Sequence, residues 1–241
     1  SHTSDSLNQF LNVFLKQQPQ PIGFPEFLPS NTASFLFFGI DDVLALSTSY
    51  RDFLNANERL AILDQKLDSI NAHYDVNIEQ NFLAWLGNSF GRCILKPSSE
   101  SFTDNTYFIV QTSSNELSKK LLNDLTDKLI SKNNSELDSA DVNGTIVQKL
   151  PLNGILSALF GDGFSAFENP YYVVHKNYVV FGTNKQSVTS YLQYIQGDRT
   201  LAKELSFSRF AENLGSSYNI FSYHHLAYAQ PILESYLNQH A

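Results

Sequence analysis

Gly87-Asn88-Ser89-Phe90-Gly91 has the Gly-x-Ser-x-Gly spacing of a nucleophile elbow, in which a serine on a strained strand-to-helix turn attacks an acyl carbon. The residues around it give the reverse order. Asn77-Ile78-Glu79-Gln80 opens a helix that the apolar pattern carries through Phe82-Leu83-Ala84-Trp85-Leu86, and Gly91 to Lys96 follows as a strand. The motif is therefore read as a helix-to-strand loop, with no histidine within hydrogen-bond reach of Ser89. Gly161-Asp162-Gly163-Phe164-Ser165-Ala166 satisfies a loose Gly-x-Gly-x-x-Ala form. A dinucleotide fingerprint needs a strand before it, a helix after it and an acid about 20 residues on. Leu156 to Phe160 reads as helix, so residues 161–169 are expected to be a flexible loop.

Three further groups have chemical potential. Asp41-Asp42 follow a strand-like run and could serve acid/base or metal chemistry, but without partners at a recognisable spacing they are read as capping and solvating groups. His224-His225 would point to opposite faces of a strand and could not share one metal ion. Cys93, the single cysteine, lies in the apolar run Cys93-Ile94-Leu95 and reads as a small core residue. No residue is assigned a catalytic, cofactor-binding or metal-ligating role on these grounds.

The elements that must position these residues centre on Tyr171 to Ile195. Tyr171-Tyr172-Val173-Val174 and Tyr178-Val179-Val180-Phe181 flank His175-Lys176-Asn177, which predicts a hairpin with Lys176-Asn177 exposed and the four valines buried. Thr183-x-x-Gln186 has the form of a capping box, and Val188, Tyr191, Leu192 and Ile195 then line one helix face ending at Gly197. Ser113-x-x-Glu116 repeats the device after a strand at Thr106–Thr112, with Leu117, Leu121, Leu125 and Leu129 in register. Further strands are expected over Ala33–Ile40, Thr145–Leu150 and Ser217–Tyr223, and helices from Asp42 to Phe53, Glu58 to Tyr74 and Leu226 to Leu237. Pro97–Asn105 reads as a serine-rich loop and Asn133–Asn143 as a polar one.

With 241 residues, 42% hydrophobic content and a net charge of −8, the chain can bury a large core. It carries no basic run of the kind that nucleic acid or an anionic bilayer requires. Neither is expected as a partner, and no apolar run reaches the roughly 20 residues of a membrane span, so direct membrane insertion is not expected either. The chain starts at Ser1, contains no methionine and stops at Ala241, which suggests a piece of a longer protein.

Ile78-x-x-x-x-Leu83-x-Trp85-Leu86-Gly87, Leu150-Pro151, the hairpin with its Gly182-Thr183 turn and helix, and Leu205-Ser206-Phe207 with Phe210 resemble an uncharacterised bacterial family, known only as a domain of unknown function in envelope-associated proteins. The resemblance runs from about Leu28 onward. It implies a location outside the cytoplasmic membrane or in the periplasm, with a membrane-spanning anchor ahead of this region, and it brings no catalytic residues.

The fold expected is α+β, with about seven largely antiparallel strands and helices packed on them. Residues 1–30 are read as a linker with a short docking helix (Leu7, Phe10, Leu11, Phe14), 31–214 as the main domain and 215–241 as the start of a second related unit packed on it. Function is read as a non-catalytic binding or assembly domain with a protein or glycan partner in the envelope, no cofactor being implied. The alternative is a hydrolase with its site near the 161–169 loop or near Asp41/Asp42 and His224/His225.

Overall fold

The computed structural model describes residues 9–97 and 103–230. In chain order the strands are β1 (Gln20–Pro21), β2 (Thr32–Gly39), β3 (Leu86–Leu95), β4 (Thr106–Thr112), β5 (Ser139–Val142), β6 (Thr145–Lys149), β7 (Tyr171–His175), β8 (Tyr178–Gly182), β9 (Ser217–Tyr218) and β10 (Ile220–His224). The α-helices are α1 (Val43–Ala56), α2 (Leu60–Tyr74), α3 (Ile78–Leu83), α4 (Asn115–Asn133), α5 (Ile155–Phe160), α6 (Lys185–Gln196) and α7 (Leu205–Ala211). Among the described residues, eight strands form one antiparallel sheet in the order β10-β2-β3-β4-β8-β7-β6-β5, and β1 pairs with β9 as a separate ribbon. The fold is α+β.

The hairpin sits inside the sheet because both of its faces are apolar. Val173, Val174, Val179 and Val180 are at most 5% exposed, and Lys176-Asn177 turn outward. The positive φ that the two-residue turn requires falls on Lys176 (51°), not on Asn177. Side chains alternate along each strand, so the sheet separates two cores. One is packed beneath α1 to α5 and includes Phe82, Trp85, Phe108, Leu125 and Phe181. The other lies beneath α6, α7 and the Phe24–Leu28 turn and includes Phe37, Cys93, Ile109, Val180 and Tyr191. α4 and α6 thus follow neighbouring strands β4 and β8 but cover opposite faces.

Several local expectations are corrected. Helix α3 stops at Leu83 rather than Leu86, because the Trp85 carbonyl accepts from Ser113 N–H and Leu86 pairs with Thr112; strand pairing overrides helix propensity there. Gly87–Gly91 is consequently strand, not loop. Both capping serine/threonine assignments move one residue on. Ser114 caps α4 through Leu117 N–H (3.2 Å), one residue beyond Ser113, whose N–H donates to Trp85 O, and Asn184 caps α6 through Ser187 N–H (2.8 Å). The expected loop at residues 161–169 contains a 3-10 turn, Asp162–Phe164, and buries Phe164 and Phe167. The polar stretch 133–143 contains strand β5.

The segment read as a linker contributes Phe24 and Leu28 at 0% exposure, and its Gln20-Pro21 pairs with Ser217-Tyr218. At the other end β10 joins the sheet as the edge strand beside β2. Residues 226–230 are helical, whereas the rest of the helix expected to Leu237 lies outside the described residues, as do Leu7 and most of the Pro97–Asn105 loop.

Candidate functional site

One cross-strand row organises the face under α1 to α5. Leu36, Arg92, Phe108, Phe181, Tyr172 and Gln148 are successive register partners on β2, β3, β4, β8, β7 and β6. Toward β6 the row ends in a closed polar cluster: Tyr172 and Gln148 share hydrogen bonds with each other and with Asn123, and Tyr172 Oη lies 3.1 Å from Thr126 Oγ1. Burial pushes the Tyr172 phenol up to about 12. Each of these four side chains has a hydrogen-bond partner in the cluster, so this end ties α4 to the sheet.

Toward β10 the row opens. Leu36 and Arg92 are only partly covered and border a cavity of about 320 Å³. Six of its thirteen lining residues are aromatic: Phe10, Phe38, Tyr50, Phe53, Phe160 and Phe164. The Phe10 ring stands nearly edge-on to Phe38, Tyr50 and Phe53 at 6.1, 6.4 and 5.9 Å, the T-shaped geometry that ring quadrupoles favour. Gly161 forms the turn at the wall with φ 98° and ψ 170°, a conformation open essentially to glycine alone. A Cβ there would also lie 3.4 Å from the Phe10 ring.

Three charged groups stand on the rim. Arg59 and Asp162 form a bidentate pair, Nη1 to Oδ2 at 2.9 Å and Nη2 to Oδ1 at 2.8 Å. That hydrogen bonding holds the Asp162 carboxyl below its usual value and raises Arg59. Burial pushes the Tyr50 phenol up to about 12, with Arg59 opposing the shift and Asp162 adding to it, so Tyr50 stays a neutral donor, to Ala158 O at 3.3 Å. Arg92 is different. Its Nη1 donates to Gly163 O at 3.2 Å, and among the described residues no carboxylate pairs with it. A wider but shallower groove of about 570 Å³ runs between α2 and Pro151–Asn153; it is open to solvent and has no aromatic wall beyond Tyr74.

The residues singled out in the sequence are dispersed. Ser89 lies within β3 at 2% exposure, and its Oγ donates to Gln111 Oε1 at 3.0 Å. Gly91 is glycine because a Cβ would lie 2.0 Å from Leu36 O on the adjacent strand. Asp42 caps α1 through Ala45 N–H (2.9 Å), and Asp41 accepts from Gln18 N–H (2.7 Å), while the buried Gln17 side chain accepts from both aspartate amides. His224 is exposed opposite Ser34, at the other end of β2 from Asp41, about 23 Å of strand away. His225 stacks on Tyr228 at 4.0 Å between centroids. The two pairs are therefore not brought together. Cys93 is fully buried beside Thr32 Oγ1, and burial pushes its thiol up to about 12, which keeps it un-ionised at neutral pH.

Of the sequence candidates only 161–164 reach the cavity. The signal that could have led to it is Arg92, a charge at an inward position between Phe90 and Ile94. Among the described residues no cluster of three or more His, Cys, Asp or Glu could hold a metal ion, and no helix is long and apolar enough to cross a membrane. Compared with protein families, curated proteins and solved structures, the chain matches none.

Proposed function

We propose that this chain is a non-catalytic binding domain of a bacterial envelope-associated protein, acting outside the cytoplasmic membrane or in the periplasm, as the sequence resemblance implies. Its partners are then envelope components: a protein or glycan docking on the domain or, at the cavity, a smaller apolar ligand. The observation that carries the reading is the aromatic cavity at the β10 end of the helix-covered face. A concave, mainly apolar site with few polar groups is the usual form of a small-ligand pocket. The hydrolase alternative places its site near the 161–169 loop or near Asp41/Asp42 and His224/His225; the loop brings to the cavity one titratable group, Asp162, which is paired with Arg59, while Asp41 accepts from Gln18 N–H and Asp42 caps α1.

Titration with 1-aminoanthracene, a neutral apolar fluorophore, tests this. Saturable enhancement at one equivalent is expected, and Leu36→Trp, which fills the cavity from its partly covered wall, should abolish it while leaving the melting curve cooperative. Unsaturable enhancement, or enhancement unchanged in Leu36→Trp, would sink the reading.

A further inference from the structure

We propose that the cavity takes an anionic amphiphile, an acyl chain bearing one carboxylate, with the chain against the phenylalanines and the carboxylate on Arg92. This deepens the binding reading above and rests on it. The chain carries −8 overall, yet this rim holds two guanidinium groups and one carboxylate. Arg59 and Asp162 neutralise each other, so the charge left over is that of Arg92. Arginine has five N–H donors in a planar fork that matches a carboxylate, and one of them is used on Gly163 O. Arg92 is half-buried, and among the described residues no carboxylate neutralises it. An acidic ligand would do so.

Size and shape point the same way. At about 30 Å³ per water-sized group, 320 Å³ accommodates on the order of ten such groups, a medium-length chain. Arg92 lines the cavity together with the rings of Phe10, Phe38, Tyr50, Phe53, Phe160 and Phe164, so a carboxylate on Arg92 leaves its chain against the rings. The Gly163 bond also gives Arg92 a structural role, so its test needs a readout that loop clamping alone would not move.

Calorimetric titration of the whole chain with decanoate, 1-decanol and decyltrimethylammonium, all below micelle-forming concentration, provides it. Decanoate should bind one-to-one at least about tenfold tighter than decanol, with the cation weakest, and the preference should shrink as salt is raised. Arg92→Gln should remove the tenfold preference of decanoate over decanol, and Arg92→Lys should restore part of it. Equal binding of decanoate and decanol to the unaltered chain overturns this assignment while leaving the pocket reading intact, and that comparison holds even if a variant fails to fold. If none of the three decyl compounds binds, both fall together.

Discussion

Arg59 and Asp162, 103 residues apart in sequence, meet through two parallel hydrogen bonds of 2.9 and 2.8 Å. The pair ties the start of α2 to the 3-10 turn that carries Gly161 and Phe164, and so fixes one lip of the cavity. Its side chains are 46% and 71% exposed, which limits its thermodynamic value. Asp162→Asn should lower stability at pH 7 by only about 0.5 kcal/mol. The sign with pH follows from the depressed carboxyl. The stabilisation is present above the unfolded carboxyl's pKa of about 3.9 and is lost as pH falls through the folded value. Urea midpoints of the two proteins should therefore differ at pH 7 and converge in acid; a difference that persists at pH 2 contradicts this.

Gly161→Ala is expected to cost more than the ion pair although it removes no contact. The backbone at φ 98°, ψ 170° excludes a side chain, a strain of about 1–3 kcal/mol, and the new methyl would press on Phe10. Thermal unfolding should show the loss, and 1-aminoanthracene affinity should fall as Phe10 moves into the cavity. A neutral substitution would mean that the 161–164 turn relaxes freely.

Much of the fold was legible and the site was not, for physical reasons. Val173, Val174, Val179 and Val180 are apolar on both faces, which local pattern alone translates into an interior hairpin. Capping residues were placed to within one position, and the error came from tertiary bonds: Ser113 N–H is claimed by Trp85 O, so Ser114 must cap. The helix assigned to Trp85-Leu86 failed because β4 claims those residues. The cavity is assembled from Phe10, Leu36, Tyr50, Arg92 and Phe164, residues whose neighbourhood depends on sheet register and on how α1 and α5 cross it. No local spacing encodes that.

His175 supplies a second pH dependence. Burial, with Lys176 and Lys119 adding, holds its imidazole below the usual 6.5, and its ring stacks on Phe27 at 6.0 Å. The folded state thus binds this proton less readily than the unfolded chain. Stability is fully present above about 6.5 and is lost as pH falls through the folded value. NMR titration should place His175 below 6.5, and His175→Gln should flatten the decline in urea midpoint between pH 7 and pH 5. A titration at or above 6.5 would remove the basis for this claim.

The pairing of β10 predicts an alternating exchange pattern. Gly39 N–H donates to Asn219 O at 2.7 Å and His225 N–H to Ala33 O at 2.8 Å. The alternation of an antiparallel ladder then aims the Phe221 and Tyr223 amides at β2 and those of Ile220 and Ser222 away from it. Hydrogen exchange should be slow at Phe221 and Tyr223 and faster at Ile220 and Ser222, with Val179 and Val180 slowest of all. Uniformly fast exchange over Ile220–His224 would show that the edge strand is not paired.

Amide chemical-shift mapping during a decanoate titration shows whether the open end of the Leu36–Arg92–Phe108 row is a binding site. Saturable shifts are expected, concentrated at Leu36, Arg92, Gly161, Gly163 and Phe164. Shifts centred instead on the exposed Leu44, Ile62, Leu205 and Leu226, or no saturable shift anywhere, would contradict it.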